Sequence, residues 1–550
     1  MVKILYQESM QSSKSEKSGI KWACQKGMLN TVSQEVSMTQ GSIPRQMIAF
    51  AIPVFLGQLF QQLYNTVDSL IVGNMLGSNA LAAVSSSGNL IFLLVGFFNG
   101  MAMGASVVIS QEFGARNFEK LRQTVHTTVA LGLVISLILT ILGTAMAPLI
   151  LEWMGTPPEV MQLSVDYFAV YFGGICGLIM YNLLSGIMRA VGDSRHPLYF
   201  LIASSLLNVV LDLLFIGGFG WGVAGAAWAT IIAQFVSALL AFGTLCRVKG
   251  PHRLVARDVR FHWEPLQEVI RYGIPTGVQN SIISLANVVV QSNINAFGPE
   301  AMAGCGAYSK LEGFAFLPIM SFNMAISTFV GQNIGAKDYE RTLKGARFGI
   351  LCGVISCEIV GIVFFLFAPQ FVSLFDHNPA VIAFGADRAR CNALFYFLLA
   401  YTHAVSAVMR GGGKPAVPMN VMLVTWCIIR VGFLVLTAPL HNVWLVYWVY
   451  PLTWGLSSLF FAWYYPRKTW LYPKEMLEAR KTGPVTASFP ALELVQESCV
   501  QMETVTAADT ECSASADPYN RSGSLCRCAC IDECSRQPDC EERKNCKCRE

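Results

Sequence analysis

The chain has 550 residues, 53% of them hydrophobic and only 13% charged. A soluble domain carries about a quarter charged residues, and the mean hydropathy of +0.47 excludes a string of soluble domains in favour of one polytopic membrane body. The net charge of +4, with no basic run interleaved with aromatics, excludes nucleic acid as a partner.

Residues 1–45 are polar and aperiodic, and they lack the apolar core of a signal peptide. They are expected to form a disordered tail, with Met38 and Met47 as candidate starts. Apolar stretches long enough to cross a bilayer then follow at 48–74, 80–110, 124–150, 163–188, 198–217 and 222–246. A linker over 247–271 leads to six more, at 272–296, 303–332, 345–372, 391–409, 417–438 and 442–464. The predicted fold is therefore all-α, with twelve membrane helices in two six-helix bundles, 46–246 and 272–465.

The connections alternate in charge. "GARNFEKLRQ", "RAVGDSRHP", "RVKGPHRLVARDVR", "GAKDYERTLK" and "RGGGKP" are basic, and the loops between them lack Lys and Arg, save one with Arg388 and Arg390. Basic loops stay inside. Both termini are therefore expected in the cytoplasm, and the membrane to be a plasma or bacterial inner membrane.

The two halves repeat. Gln111, Gly114, Ala115 and Glu119 match Gln332, Gly335, Ala336 and Glu340 at one offset, which also pairs Pro148 with Pro369, Arg189 with Arg410, Gly192 with Gly413 and Pro197 with Pro418. A one-residue shift pairs Pro53 with Pro275. Each half has an even number of spans, so both enter the membrane in the same sense. Two such bundles are related by a pseudo-twofold along the membrane normal, with a cleft between them.

These paired halves, with "AIPVFLGQLFQQLYNTVDSLIVGNMLG", "GARN", "MRAVGDSRHP" and "NVVLDLLFI" followed by "GVAGAAWATIIAQ", resemble the multidrug and toxic compound extrusion (MATE) family. The DinF-like branch fits best, because the acids sit in the first half. The resemblance covers roughly residues 43–470 and implies an antiporter, coupled to sodium ions or protons, that exports amphipathic and often cationic compounds. It implies no other cofactor.

The residues support a site independently. An aspartate at the centre of a membrane helix costs roughly 2.5–3.5 kcal/mol, and intramembrane acids are functional candidates by default. Asp68 precedes the outer end of the first span. Asn208 and Asp212 share a face of the fifth span. Thr230 lies about 13 Å down the sixth at 1.5 Å per residue. Two carboxylates, an amide and a hydroxyl at similar depth suit a hard cation such as Na+, or a shared proton that relieves the repulsion between the acids. In the second half, the positions equivalent to Asp68 and Asp212 fall on or near Val289 and Phe433. The family's cation site carries over to Asp68, Asn208, Asp212 and Thr230.

Tyr64, Asn65 and Gln234 are neighbours of that site. Phe60, Phe314 and Met320 suit adaptable substrate contacts in the cleft, as does Phe92. Arg430 is expected to anchor the second lobe through Glu312 or Glu358, and those two acids keep a second-lobe coupling site open. Pro53 and Pro275 are matched helix breakers near the starts of spans one and seven.

From residue 466 onward hydropathy collapses into a disordered tail. Eight cysteines lie between Cys512 and Cys548, in a spacing that matches no standard zinc pattern. Small molecules and the bilayer are the expected partners, and the protein is expected to act as a monomer. Two alternative readings stand beside export. One is a lipid-linked oligosaccharide flippase, whose cleft would need many cationic residues. The other is a membrane receptor or scaffold. An enzyme is excluded, since no nucleophile–base or H-E-x-x-H constellation appears.

Overall fold

The computed structural model describes residues 37–153, 158–472 and 476. The cysteine cluster, the first 36 residues and the Phe92 side chain lie outside the described residues. Among the described residues the fold is helical throughout. The first bundle contains α1 (Ile43–Leu76), α2 (Ser78–Gly114) and α3 (Phe118–Trp153). Next come α4, a pair bent by 48° (Pro158–Gly173 and Ile175–Ala190), α5 (Arg195–Asp212, continuing as a π-helix over Leu213–Gly218) and α6 (Gly222–Arg247).

The second bundle repeats this order. Its helices are α7 (Trp263–Asn295), α8 (Pro299–Gly335), α9 (Tyr339–Leu366), and α10, a pair bent by 54° (Pro379–Ala393 and Tyr396–Gly411). Then come α11 (Ala416–Met422, a π-helix over Leu423–Ile429, and Arg430–Thr437) and α12 (Val443–Tyr464).

The bent pairs correct two of the predicted spans. Helix α10 begins at Pro379 rather than near 391, so Arg388 is inside a helix and buried, not in a loop. Its charge is masked from a hydropathy window because aromatic rings receive it. The guanidinium lies over Tyr308 and Tyr450, 5.0 and 5.3 Å from the ring centroids. Pro53 and Pro275 are well inside α1 and α7, and neither ends its helix.

The repeat is visible in the backbone. The turns after α2 and α8 each place a basic residue at positive φ, Arg116 at 56° and Lys337 at 58°. The turns after α4 and α10 do the same with Gly192 and Gly413, at 101° and 77°. Both glycines sit where an L side chain would be strained.

At the end that carries the basic loops, the bundles interlock. Gln111 on α2 donates through Nε2 to the Gly411 carbonyl at 2.9 Å, and Gln332 on α8 donates to the Ala190 carbonyl at 2.8 Å. The two bonds are copies of each other under the repeat. Gly100 and Gly104 of α2 meet Gly277 and Gly273 of α7 so closely that a Cβ on either would collide with the facing backbone. Small residues allow such helix approach.

The predicted boundaries need three corrections. Helix α1 begins at Ile43, and the segment before it is ordered from residue 37. Met38 is buried, and its N–H donates to Gln332 Oε1 at 2.8 Å, while Arg341 donates to the carbonyls of Met38 and Gly41. Helix α7 begins at Trp263, so the connection between bundles is shorter than predicted. It is held to α3 by Val255 N–H to His126 Nε2 at 3.1 Å and by an Arg122–Asp258 ion pair at 2.7 Å. Finally, the chain stays packed beyond 466. Trp470 and Leu471 are buried, and Trp470 stacks on Tyr465 with centroids 5.4 Å apart. Contacts made outside a membrane-length apolar window, polar or apolar, carry no hydropathy signal, which is why the sequence does not show these boundaries.

Candidate cation site

The first bundle brings the predicted acids together. Asp68 projects from α1 and Asp212 from α5, at the residue before its π-segment, and the two carboxyls are electrostatic neighbours. Asp212 is fully buried, and Asn208, one turn back on the same face, is nearly so. A π-helix starts at the residue after Asp212. Such bulges widen a helix to i→i+5 bonding and are frequent at functional sites.

The site lacks internal partners. Both oxygens of Asp212, one of Asp68, and both polar atoms of the Asn208 amide are buried without a hydrogen bond. So are Ser205 Oγ and Gln234 Oε1. No ion pair among the described residues involves either aspartate. Buried carboxylates left this way are costly, so the cluster calls for a cation or a proton.

Thr230 lines the same small cleft with Asn208, Gln234, Tyr64, Ser204 and Ser205. Its hydroxyl donates to the Ala226 carbonyl at 3.1 Å, which leaves the oxygen lone pairs for a ligand. Asn208, Thr230, Tyr64 and Gln234 thus share that cleft, and Asn208 shares a helix face with Asp212. Tyr167 on α4 was not foreseen. It is buried and within electrostatic reach of both acids. Nothing in its sequence context distinguishes it from other interfacial tyrosines. Ser204 and Ser205 could have been found, since they lie four and three residues before Asn208.

The remaining predicted residues scatter. Asn65 is exposed and faces away from the cleft lined by Tyr64. Phe60 and Met320 are exposed, and Phe314 is half-buried against the second bundle's core.

The second bundle differs at the equivalent station. Arg430 is buried and donates to Thr453 Oγ1 at 2.7 and 3.2 Å and to Asn287 Oδ1 at 3.3 Å. It also lies over the rings of Trp426 and Tyr450. The expected ion pair with Glu312 or Glu358 does not form. Glu312 accepts from the Tyr308 hydroxyl at 3.2 Å, and Tyr308 in turn meets the Tyr396 hydroxyl at 2.8 Å. Glu358 accepts from the Phe397 N–H at 2.8 Å, which secures the bend of α10. Among the described residues neither acid has a second carboxylate as an electrostatic neighbour, unlike Asp68 and Asp212.

The MatE family profile matches this chain twice, at residues 53–214 and 275–436. The probable multidrug resistance protein YoeA of Bacillus subtilis is 30% identical over 446 residues, covering 79% of this chain and 96% of its own length. YpnP of the same organism, also named a probable multidrug resistance protein, is 30% identical over 424 residues, covering 77% and 94%. Among solved structures, an outward-facing multidrug resistance MATE transporter of the MOP superfamily superposes with a TM-score of 0.74 at 23% identity, covering 80% of this chain and 98% of that one.

Proposed function

Since the chain belongs to the multidrug and toxic compound extrusion family, whose members are membrane transporters and not enzymes, we propose that it is a secondary antiporter. It exports amphipathic, often cationic compounds in exchange for Na+ or H+. The observation that carries the reading is the buried Asp68–Asp212 pair, which has no basic partner. Confinement of the acid pair to the first bundle supports the DinF-like branch. The alternation of basic loops supports cytoplasmic termini in a plasma or inner membrane, and the chain acts as a monomer.

Two facing carboxylates repel each other when both are bare, and a bound cation or shared proton removes that repulsion. Asp68 sits on α1, and Asp212 and Thr230 sit on α5 and α6. Binding therefore draws three helices together on one side of the cleft. Emptying the site lets them separate. A bundle whose internal spacing depends on the ion can bias the rocking that moves substrate across the membrane. Tyr64 lines the cleft beside Asn208 and Thr230 from the helix that also carries Asp68 and Phe60.

The test is dye efflux from proteoliposomes with sodium and pH gradients imposed separately. One inward gradient should drive efflux from the wild type and neither should drive it from Asp68→Asn. Wild-type efflux from that mutant, at matched incorporation, would remove the acid pair from the mechanism.

A further inference from the structure

The first bundle also holds a cavity of about 70 Å³, between the acid site and the basic end. Its polar lining is Gln58 and Gln61 from α1, Tyr181, Asn182 and Arg189 from α4, Ser194 from the turn before α5, and Gln234 from α6. Met324 of α8 closes it from the second bundle. Arg189 is the only charge in the lining, and no ion pair among the described residues includes it. Its electrostatic neighbour is Tyr181, whose hydroxyl already donates to the Pro197 carbonyl at 3.0 Å.

The repeat supplies an internal control. Arg410, the counterpart of Arg189, is buried and donates to Gln279 Oε1 at 3.4 Å. Gln279 in turn donates to Met422 Sδ at 2.9 Å. In the register that pairs Pro53 with Pro275, the residue matching Gln279 is Gly57, and Gly57 lines the cavity. One missing side chain therefore does two things in the first bundle. It opens the space, and it frees the guanidinium of its amide acceptor.

A guanidinium offers five donors and no acceptor, and among the described residues Arg189 lacks the side-chain acceptors that Arg410 and Arg430 have. We propose that this cavity is a binding site for a small monovalent anion of the halide class, held by Arg189 with the side-chain amides of Gln58 and Gln61. The volume admits a halide with some of its water. It is far too small for an amphipathic drug. Because Met324 closes the cavity from the other bundle, anion exchange depends on the relative position of the two bundles. This inference goes beyond the antiport reading, and its test reads no transport.

The test uses the full-length purified protein in detergent, titrated with chloride against gluconate at constant ionic strength. Chlorine NMR linewidth and thermal unfolding are the readouts. The wild type should show saturable line broadening and a chloride-dependent rise in unfolding temperature. Arg189→Gln should weaken halide affinity by about tenfold or more, through loss of a charge-assisted hydrogen bond. Gly57→Gln should do the same by filling the cavity, and it keeps the arginine. A Cβ at Gly57 meets only Leu201 and Leu198 side chains at 3.6 and 3.7 Å, which is ordinary contact, so this variant remains informative if Arg189→Gln fails to fold. Arg410→Gln should leave halide broadening unchanged. Absence of saturable broadening in the wild type would overturn the proposal, leaving a water-filled cavity. So would broadening that persists in Gly57→Gln.

Discussion

The two bundles descend from one repeat, yet they treat charge at the same station in opposite ways. In the first, Asp68, Asn208 and Asp212 leave buried oxygens unpaired. In the second, the guanidinium of Arg430 fills the corresponding place and binds Thr453 and Asn287. The π-segment that ends at Ile429 helps set this up. Its wider turns absorb a residue and bring Arg430 to the station that Asn208 holds in the first bundle. One bundle has its cation built in, and the other leaves its buried acid oxygens unpaired. A fixed cation cannot leave and so cannot couple anything. Under the proposed antiport the first bundle is therefore the working half and the second the supporting half.

The largest effect that would break this comparison is loss of coupling from the first bundle alone. Asp212→Asn should abolish ion-driven efflux in vesicles, as Asp68→Asn does, while Glu312→Gln and Glu358→Gln keep it. Efflux that survives Asp212→Asn but fails in Glu312→Gln would reverse the roles of the halves.

Next in size is a purely structural effect in the supporting half. Truncation after Lys468 removes Trp470 and Leu471 from the core that also holds Met47 and Phe329. The cost is on the order of 3–5 kcal/mol, as for deletion of a buried large side chain. Truncation after Tyr472 should be silent. The check is the unfolding midpoint of the two truncations in detergent, and equal midpoints would mean that the segment contributes nothing.

Arg430→Met should be smaller, at about 1–3 kcal/mol, because Thr453 and Asn287 keep other partners or reach water. It should lower thermal stability and leave the ion dependence of efflux intact. A changed ion dependence would show that the supporting half takes part in coupling.

Reciprocity sharpens the picture of the working half. Asp68→Asn and Asp212→Asn should displace the pH midpoint of fluorescent-drug binding by equal amounts, since a coupling energy is shared. Independent, additive displacements in the double mutant would mean that the acids act separately.

The smallest effect concerns the strand of chain between the bundles. Burial holds the His252 imidazole below its ordinary 6.5, with Asp193 partly offsetting it. The folded connection therefore prefers the neutral ring. Its stability is complete above about pH 6.5 and is lost as pH falls from there toward the lowered folded value. Hydrogen-exchange protection over residues 248–262, taken relative to the intrinsic rate at each pH, should fall between about pH 7.5 and 5.5, and His252→Gln should flatten that dependence (a window set by the free imidazole).

Much of this was legible in the chain. Hydropathy and the repeat offset identify twelve helices in two bundles, because membrane burial is written as composition. The acid pair was legible because charge inside an apolar run is rare. Arg388 was misplaced for the converse reason. Aromatic rings from Tyr308 and Tyr450 accept its charge, and they lie far from it in sequence. The bonding of Arg430 to Thr453 and Asn287 was hidden in the same way, since both partners come from other helices. Tyr167 carried no signal, as its role depends only on where α4 bends.

The twin glutamine bonds from Gln111 and Gln332 set a threshold for the transport cycle. Each is worth about 0.5–1.5 kcal/mol net, so the pair weighs about 1–3 kcal/mol in favour of closure at the basic end. Such a bias alone holds the opposite arrangement at roughly 15% down to 1% of molecules. A single ion's differential binding can overturn a preference of that size. Because the bonds are related by the pseudo-twofold, rocking the bundles apart at that end lengthens both together. Closure then ends in one concerted release rather than by unzipping.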